Sequence, residues 1–306
     1  MKLRLRPWVV VTLVLALCAG LVFAVGLWRS RTGITPARLA EYLPVTQGLT
    51  LGIDVAALRT GGILEALAGS GIAEEREYQD FVRDSGFNWE QDLDYVLARF
   101  TPREKYFLLK GRFDWSTLRT YAQKQGGICR NAFCELEGST PERMISFFPL
   151  RVDVMALAVG PERGLAWSLA ERASSRAEAV PSSPVWLRFR PEALDSAALA
   201  APLKQLLALA GGAEQVQLEL AADAGRFRML LEVDSPADTA ASQLAARLQA
   251  TVRLLGGIDA ALDQQSREPN LTQVLARGVF EARGTKVLGY WPIERSFVEG
   301  ILGFSR

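Results

Sequence analysis

The chain reads as an α+β protein: an N-terminal transmembrane helix, then two similar units of mostly antiparallel sheet with helices packed on one face. Three observations predict this. An uncharged run from Trp8 to Trp28 covers 21 residues, long enough to cross a bilayer as a helix. Short alternating segments pair off as hairpins, most clearly 215–221 with 226–233, where Val216, Leu218 and Leu220 face one way and Gln217 and Glu219 the other. The order strand, helix, strand, strand, helix occurs twice, on either side of an Ala/Ser/Pro-rich segment at 173–184.

Taken in order, residues 1–32 form the anchor. Trp8 and Trp28 stand where aromatic rings favour the interface. Lys2, Arg4 and Arg6 precede the run, and Arg29 and Arg31 follow it. That balance predicts a cytoplasmic N-terminus in a bacterial inner membrane, with the bulk of the chain outside. A cleaved signal sequence is the rival, although its apolar core is usually about 7–15 residues. A lipidated Cys18 is a third reading, from the loose lipobox Leu15-Ala16-Leu17-Cys18. Residues 33–48 read as a stalk carrying a short helix from Pro36, capped by Thr35.

The first unit spans 49–172. It begins with a strand at 49–54 and helices at 55–68 and 72–85, the second stopped by Gly86. Asn88 and Gln91 have capping-box spacing. Strands at 95–100 and 106–113, a helix at 115–125, strands near 127–135, 143–149 and 153–159, and a helix at 162–172 complete it. After the 173–184 linker, the second unit spans 185–306. It holds a strand at 185–190, a Leu/Ala-rich helix at 192–210 and the hairpin at 215–233. A helix at 236–255 ended by Gly256-Gly257 follows, then a short helix at 271–276, a hairpin at 278–291 and a last helix at 293–302. Gly-Arg-Phe recurs at Gly111-Arg-Phe113 and Gly225-Arg-Phe227.

Three segments of the first unit carry a resemblance: Asp54-Val-Ala-Ala-Leu58, Gly86-Phe-Asn-Trp-Glu-Gln-Asp-Leu-Asp94 and Gly111-Arg-Phe113. Over roughly 48–160 the chain resembles bacterial membrane-anchored envelope proteins of unknown function with a duplicated α+β unit. The resemblance implies an envelope location and brings no catalytic residues. The second unit departs from it, for it lacks the Asp-Leu-Asp segment.

Composition narrows the chemistry. There are 35 basic and 34 acidic residues and no histidine. Ser-His-Asp and Cys-His catalysis, His-ligated metals and His proton shuttles are therefore excluded. Without a basic surplus, nucleic acid is not an expected partner. Past residue 32 the balance is 30 basic to 34 acidic, a mildly acidic body. No Gly-x-Ser-x-Gly, Ser-x-x-Lys or phosphate-loop motif occurs. Asn270-Leu-Thr272 matches a glycosylation sequon and equally a helix cap.

Cys129 and Cys134 suit a disulfide across a short turn at Asn131; free thiols, or a redox or metal role, are the other readings. The densest feature is acidic: Glu74, Glu75, Glu77, Asp80, Asp84, Glu90, Asp92 and Asp94. Asp80, Asp84, Asp92 and Asp94 are candidates for weak cation binding or for paired-carboxylate catalysis; the bland reading is the wet face of a helix. Arg99, Arg103, Lys105, Lys110 and Arg112 form a basic stretch able to dock an acidic partner or lipid headgroups, or simply to line a hairpin. Trp89, Trp115, Trp167, Trp186 and Trp291, like the Leu199, Leu203, Leu206 and Leu207 stripe, read first as core. The expected function is binding or scaffolding in the envelope, with a protein partner, no cofactor and no catalysis. A carboxylate hydrolase and a carrier of apolar ligands are the alternatives.

Overall fold

A computed structural model describes residues 34–61, 64, 76–138, 140, 143–172, 179–196, 201–223, 226–262 and 271–293. The apolar run from Trp8 to Trp28 and the helix expected at 293–302 lie outside these, apart from Ile293, which ends a strand. Among the described residues no helix is long and apolar enough to cross a membrane.

The fold is α+β. Twelve described strands form one antiparallel sheet. They are β1 (Leu49–Asp54), β2 (Leu93–Phe100), β3 (Lys105–Gly111), β4 (Ile128–Arg130), β5 (Phe133–Glu137), β6 (Met144–Arg151), β7 (Val154–Gly160), β8 (Val185–Phe189), β9 (Gln215–Asp223), β10 (Arg226–Asp234), β11 (Val279–Arg283) and β12 (Lys286–Ile293). Their spatial order is β11-β12-β10-β9-β8-β1-β2-β3-β7-β6-β5-β4. The halves meet edge to edge: Gly52 of β1 pairs with Trp186 of β8. Outward from that seam, β1-β2-β3-β7-β6 on one side and β8-β9-β10-β12-β11 on the other follow the same connection, with β5-β4 added beyond β6.

The helices are α1 (Pro36–Ala40), α2 (Val55–Thr60), α3 (Arg76–Ser85), α4 (Trp89–Asp92), α5 (Trp115–Lys124), α6 (Ala201–Ala208), α7 (Asp238–Leu262) and α8 (Leu271–Ala276). Most lie on one face of the sheet. There a cross-strand row runs from edge to edge: Phe280, Gly289, Leu231, Leu218, Leu187, Leu51, Ala98, Phe107, Leu157, Phe147, Cys134, Cys129. Leu58, Leu206, Leu207, Leu248 and Val252 pack over the β1 and second-half end of this face, and Leu118 and Ala122 over the β4 end.

Helical cover is not confined to that face. Tyr95, Leu97, Tyr106, Leu108, Val154 and Ala156 make a second core on the opposite side, closed by Ile34, Leu39 and Leu43 and by the 3-10 helix Leu165–Leu169. Leu39 is 0% exposed. So the stretch read as a stalk packs, from Ile34 onward, on the body itself. Thr35 caps α1 as expected, accepting from the Arg38 N–H.

Other boundaries moved for physical reasons. Asn88 caps α4 by accepting from the Glu90 N–H, but the reciprocal acceptor for the Asn88 N–H is Asp92, not Gln91. The helix expected at 192–210 is divided into a 3-10 turn, Pro191–Ser196, and α6. That expected at 162–172 is only the 3-10 turn Leu165–Leu169. Helix α7 runs through Gly256-Gly257: tertiary packing of Leu244, Leu248 and Val252 outweighs a local penalty of about 1 kcal/mol per glycine. Gly86 does end α3, at φ 66°. The two Gly-Arg-Phe triplets are not equivalent, because Gly111 closes β3 whereas Arg226 and Phe227 open β10.

Candidate functional site

Two surface clefts concentrate side-chain chemistry. The first draws on two of the three segments that carried the resemblance, Gly86–Asp94 and Gly111–Phe113, together with the start of α5. Residues Ser85, Gly86, Phe87 and Asp92 face Arg112, Phe113, Asp114, Trp115 and Leu118 across about 610 Å³. The Phe87 and Phe113 rings stack at 5.6 Å, and Trp115 lies 5.2 Å from Phe113. The backbones meet where a side chain at Gly111 would strike the Asp92 carbonyl, 2.2 Å from its Cβ position.

Two arginines tie the acidic loop down. Arg112 donates to the Gln91 carbonyl at 2.7 Å and pairs with Asp92 at 3.1 Å. Arg59, from α2, donates to the carbonyls of Glu90 and Leu93 and stands 3.9 Å from Asp94. The other Asp92 oxygen accepts from the Asn88 N–H. Asp84 pairs with Arg83 at 3.0 Å. The Asp80 side chain, with Glu74 and Glu75, lies outside the described residues. Among the described residues no three carboxylates gather as metal ligands. Asp114, also in the cleft, accepts from the N–H groups of Ser116 and Thr117 at the start of α5. The Thr117 N–H, foremost, holds its pKa below the usual carboxylate range. A carboxylate so held is an acceptor and a cap, not a proton donor near neutrality.

The basic stretch does not form one patch. Lys105 and Lys110 lie five residues apart on β3 and so face opposite sides of the sheet. Lys110 donates to the Ile34 carbonyl, Arg112 belongs to the first cleft, and Arg103 stands in the β2–β3 turn. Only Arg99 enters the second cleft, of about 320 Å³, where it meets Thr50, Arg188, Arg190 and Gln215 at the seam. Sequence reading overlooked Arg188 and Arg190. The signal was present: in Trp186-Leu-Arg188-Phe-Arg190, alternate positions share a face while Leu187 and Phe189 go to the core.

Cys129 and Cys134 form a disulfide between directly paired positions of β4 and β5, across Asn131 at φ 55°. Among the tryptophans, Trp186 and Trp291 are buried core. Trp89 packs against the core with an indole N–H that lacks a hydrogen-bond partner among the described residues. Trp167 departs from the core reading: it is 57% exposed and lies flat on Phe133, 4.5 Å between centroids. Leu206 and Leu207 are buried and Leu203 partly so, while Leu199 lies outside the described residues.

Comparison with known proteins yields fold likenesses alone. No protein-family model matches the chain, and no curated protein does. Among solved structures it is similar to crystal form III of TP0453, at TM-score 0.49 and 11% identity, over 89% of this chain and 99% of that one. Crystal forms IV and I of TP0453 give TM-scores of 0.46 at 10% and 12% identity, over 89% of this chain and 98% and 99% of theirs.

Proposed function

We propose that the protein is a binding or scaffolding module of the bacterial envelope, held in the inner membrane by Trp8 to Trp28 with its body outside the cytoplasm, and that it performs no catalysis. The observation that carries the binding reading is the state of the acids. Asp84, Asp92 and Asp94 are each matched to an arginine, and Asp114 to backbone N–H groups. Carboxylates so tied support architecture rather than acid–base work. What remains open in the first cleft is a stack of aromatic faces rimmed by polar groups, a surface suited to a segment of a protein partner. The disulfide supports a compartment that permits one. The matching strand order on either side of the seam supports an internal duplication.

The placement is tested by the intact mass of the native protein from membrane fractions, alkylated without reductant. Full length with a single alkylation, on Cys18, is expected. Loss of about 25–30 N-terminal residues would mean a cleaved signal and a released protein. Three alkylations would mean a reducing compartment and overturn the reading.

A further inference from the structure

We propose that Trp167 is a bilayer contact, lying in the lipid interface on the side of the sheet where the chain arrives from the apolar run. The inference rests on Trp8 to Trp28 being the anchor proposed above. Trp167 stands on the 3-10 helix Leu165–Leu169, whose residues Leu165, Ala166 and Leu169 are buried, and is itself 57% exposed.

The indole is open on one face. Phe133 lies against it, 4.5 Å away and within 3° of parallel, and Phe148 is 5.2 Å away at 28°. The two phenyl rings are 5.9 Å from each other. Rings on opposite faces of the indole would stand much farther apart, so both support the same face. The exposed area is therefore the outer face and the ring edges. A flat apolar surface backed by two packed rings is held in one orientation, and it loses little freedom on contact.

That surface lies on the side of the sheet away from α5. Cys134 belongs to the row under α5, and Phe133, its neighbour along β5, points to the opposite side. Phe148 is part of the core on that side, together with Leu165 and Leu169. Ile34, Leu39 and Leu43 belong to the same core. The link from Trp28 therefore joins the body on the side that Trp167 occupies, and a short link joined there turns that side to the bilayer.

The chemistry of the surface fits a lipid interface. An indole combines a large apolar body with a polar edge, and it favours the boundary between acyl chains and headgroups. Charge does not supply the attraction. Residues 161–172 hold two glutamates and two arginines, and Arg163 pairs with Glu137 at 3.7 Å and Arg172 with Glu41 at 3.4 Å. The contact needs no anionic lipid.

The test is tryptophan fluorescence of the full chain in phosphatidylcholine nanodiscs with plain or brominated acyl chains. Bromine quenches only indoles that reach the bilayer. The wild type is compared with Trp167→Phe and with Trp115→Phe, since Trp115 packs on the α5 side. Subtracting each variant from the wild type isolates one indole. Emission from Trp167 is expected to fall about twofold or more in brominated lipid, as for a ring at the interface, and emission from Trp115 to stay unchanged. Trp8 and Trp28 remain in the Trp167→Phe variant and report the anchor in the same sample. If that variant is quenched but the Trp167 emission is not, the anchor stands and the proposal fails. If Trp115 emission is quenched as strongly as that of Trp167, the body has no preferred side and the proposal also fails. If Trp167→Phe shows no quenching, the anchor reading fails and the proposal falls with it. Trp167→Tyr, excited at the red edge of tryptophan absorption, gives the same subtraction and guards against one misfolded variant.

Discussion

Gly52 and Trp186 make the seam a matter of two residues. The Trp186 indole lies across β1 where a Cβ on Gly52 would fall 2.1 Å from its ring nitrogen. The indole N–H donates to the Tyr95 hydroxyl at 3.1 Å, in a cluster where Trp186 is 2% exposed. Burial, foremost, pushes the Tyr95 pKa up. Gly52→Ala must push the ring off β1. The expected loss is about 1–3 kcal/mol, as for overpacking in a filled core, read from the urea midpoint. An unchanged midpoint would show that the seam has slack. This contact was not legible in the sequence, where Gly52 is one glycine among 26 and nothing marks its partner 134 positions away. Local chemistry was legible: Thr35 as a cap, Gly86 as a stop and Asn131 as a turn all depend on near neighbours only.

At the scale of elements, the sheet has two edges to protect, and each is handled differently. On the outer strand β11, the Gln249 side chain of α7 accepts from the Phe280 N–H at 3.1 Å and donates to the Gly278 carbonyl at 3.3 Å. It occupies backbone groups that another chain's strand would otherwise pair. Gln249→Ala should leave the monomer folded yet raise the fraction of dimer and larger species in sedimentation velocity. A strictly monomeric variant would remove the edge-capping role. The other edge, β4, is three residues long and locked by the disulfide. Replacing both Cys129 and Cys134 by Ser should cost about 2 kcal/mol, the entropy of a very short closed loop, measured by thermal melting against the oxidised protein. A loss near zero would mean that the hairpin is held by packing alone. Element types were mostly readable from periodicity, while long helices were not. The break before α6 and the passage of α7 through two glycines are decided by what packs against them, which no local pattern contains.

Across the whole molecule, the seam joins what the sequence divides. The linker at 173–184 and the repeated element order argue for two units, and the strand order does read outward on both sides. Yet β1 and β8 pair directly, and Leu187, Phe189 and Leu194 share one core with Leu49, Val55 and Leu58. Equilibrium unfolding in urea should therefore be one transition, followed equally by fluorescence and circular dichroism. Two resolved transitions would show that each half holds its own core. The candidate sites divide along the same line. The first cleft was half legible, since its segments carry a recognisable pattern within one unit. The second cleft was not, because Arg99 and Arg188 become neighbours only through long-range pairing.

The packing of α1 sets a leash. Ile34 is already buried against the sheet, and the apolar run ends at Trp28. Five residues separate them, so six peptide links at full stretch give roughly 20 Å of chain. If Trp8 to Trp28 is the anchor proposed above, a body so tethered cannot sweep through the space beyond the membrane; it would work pressed near the bilayer, and whatever it meets would have to come to that surface. Lengthening the tether by twenty Gly/Ser residues ahead of Ile34 would leave the fold alone and change only how far the body can travel.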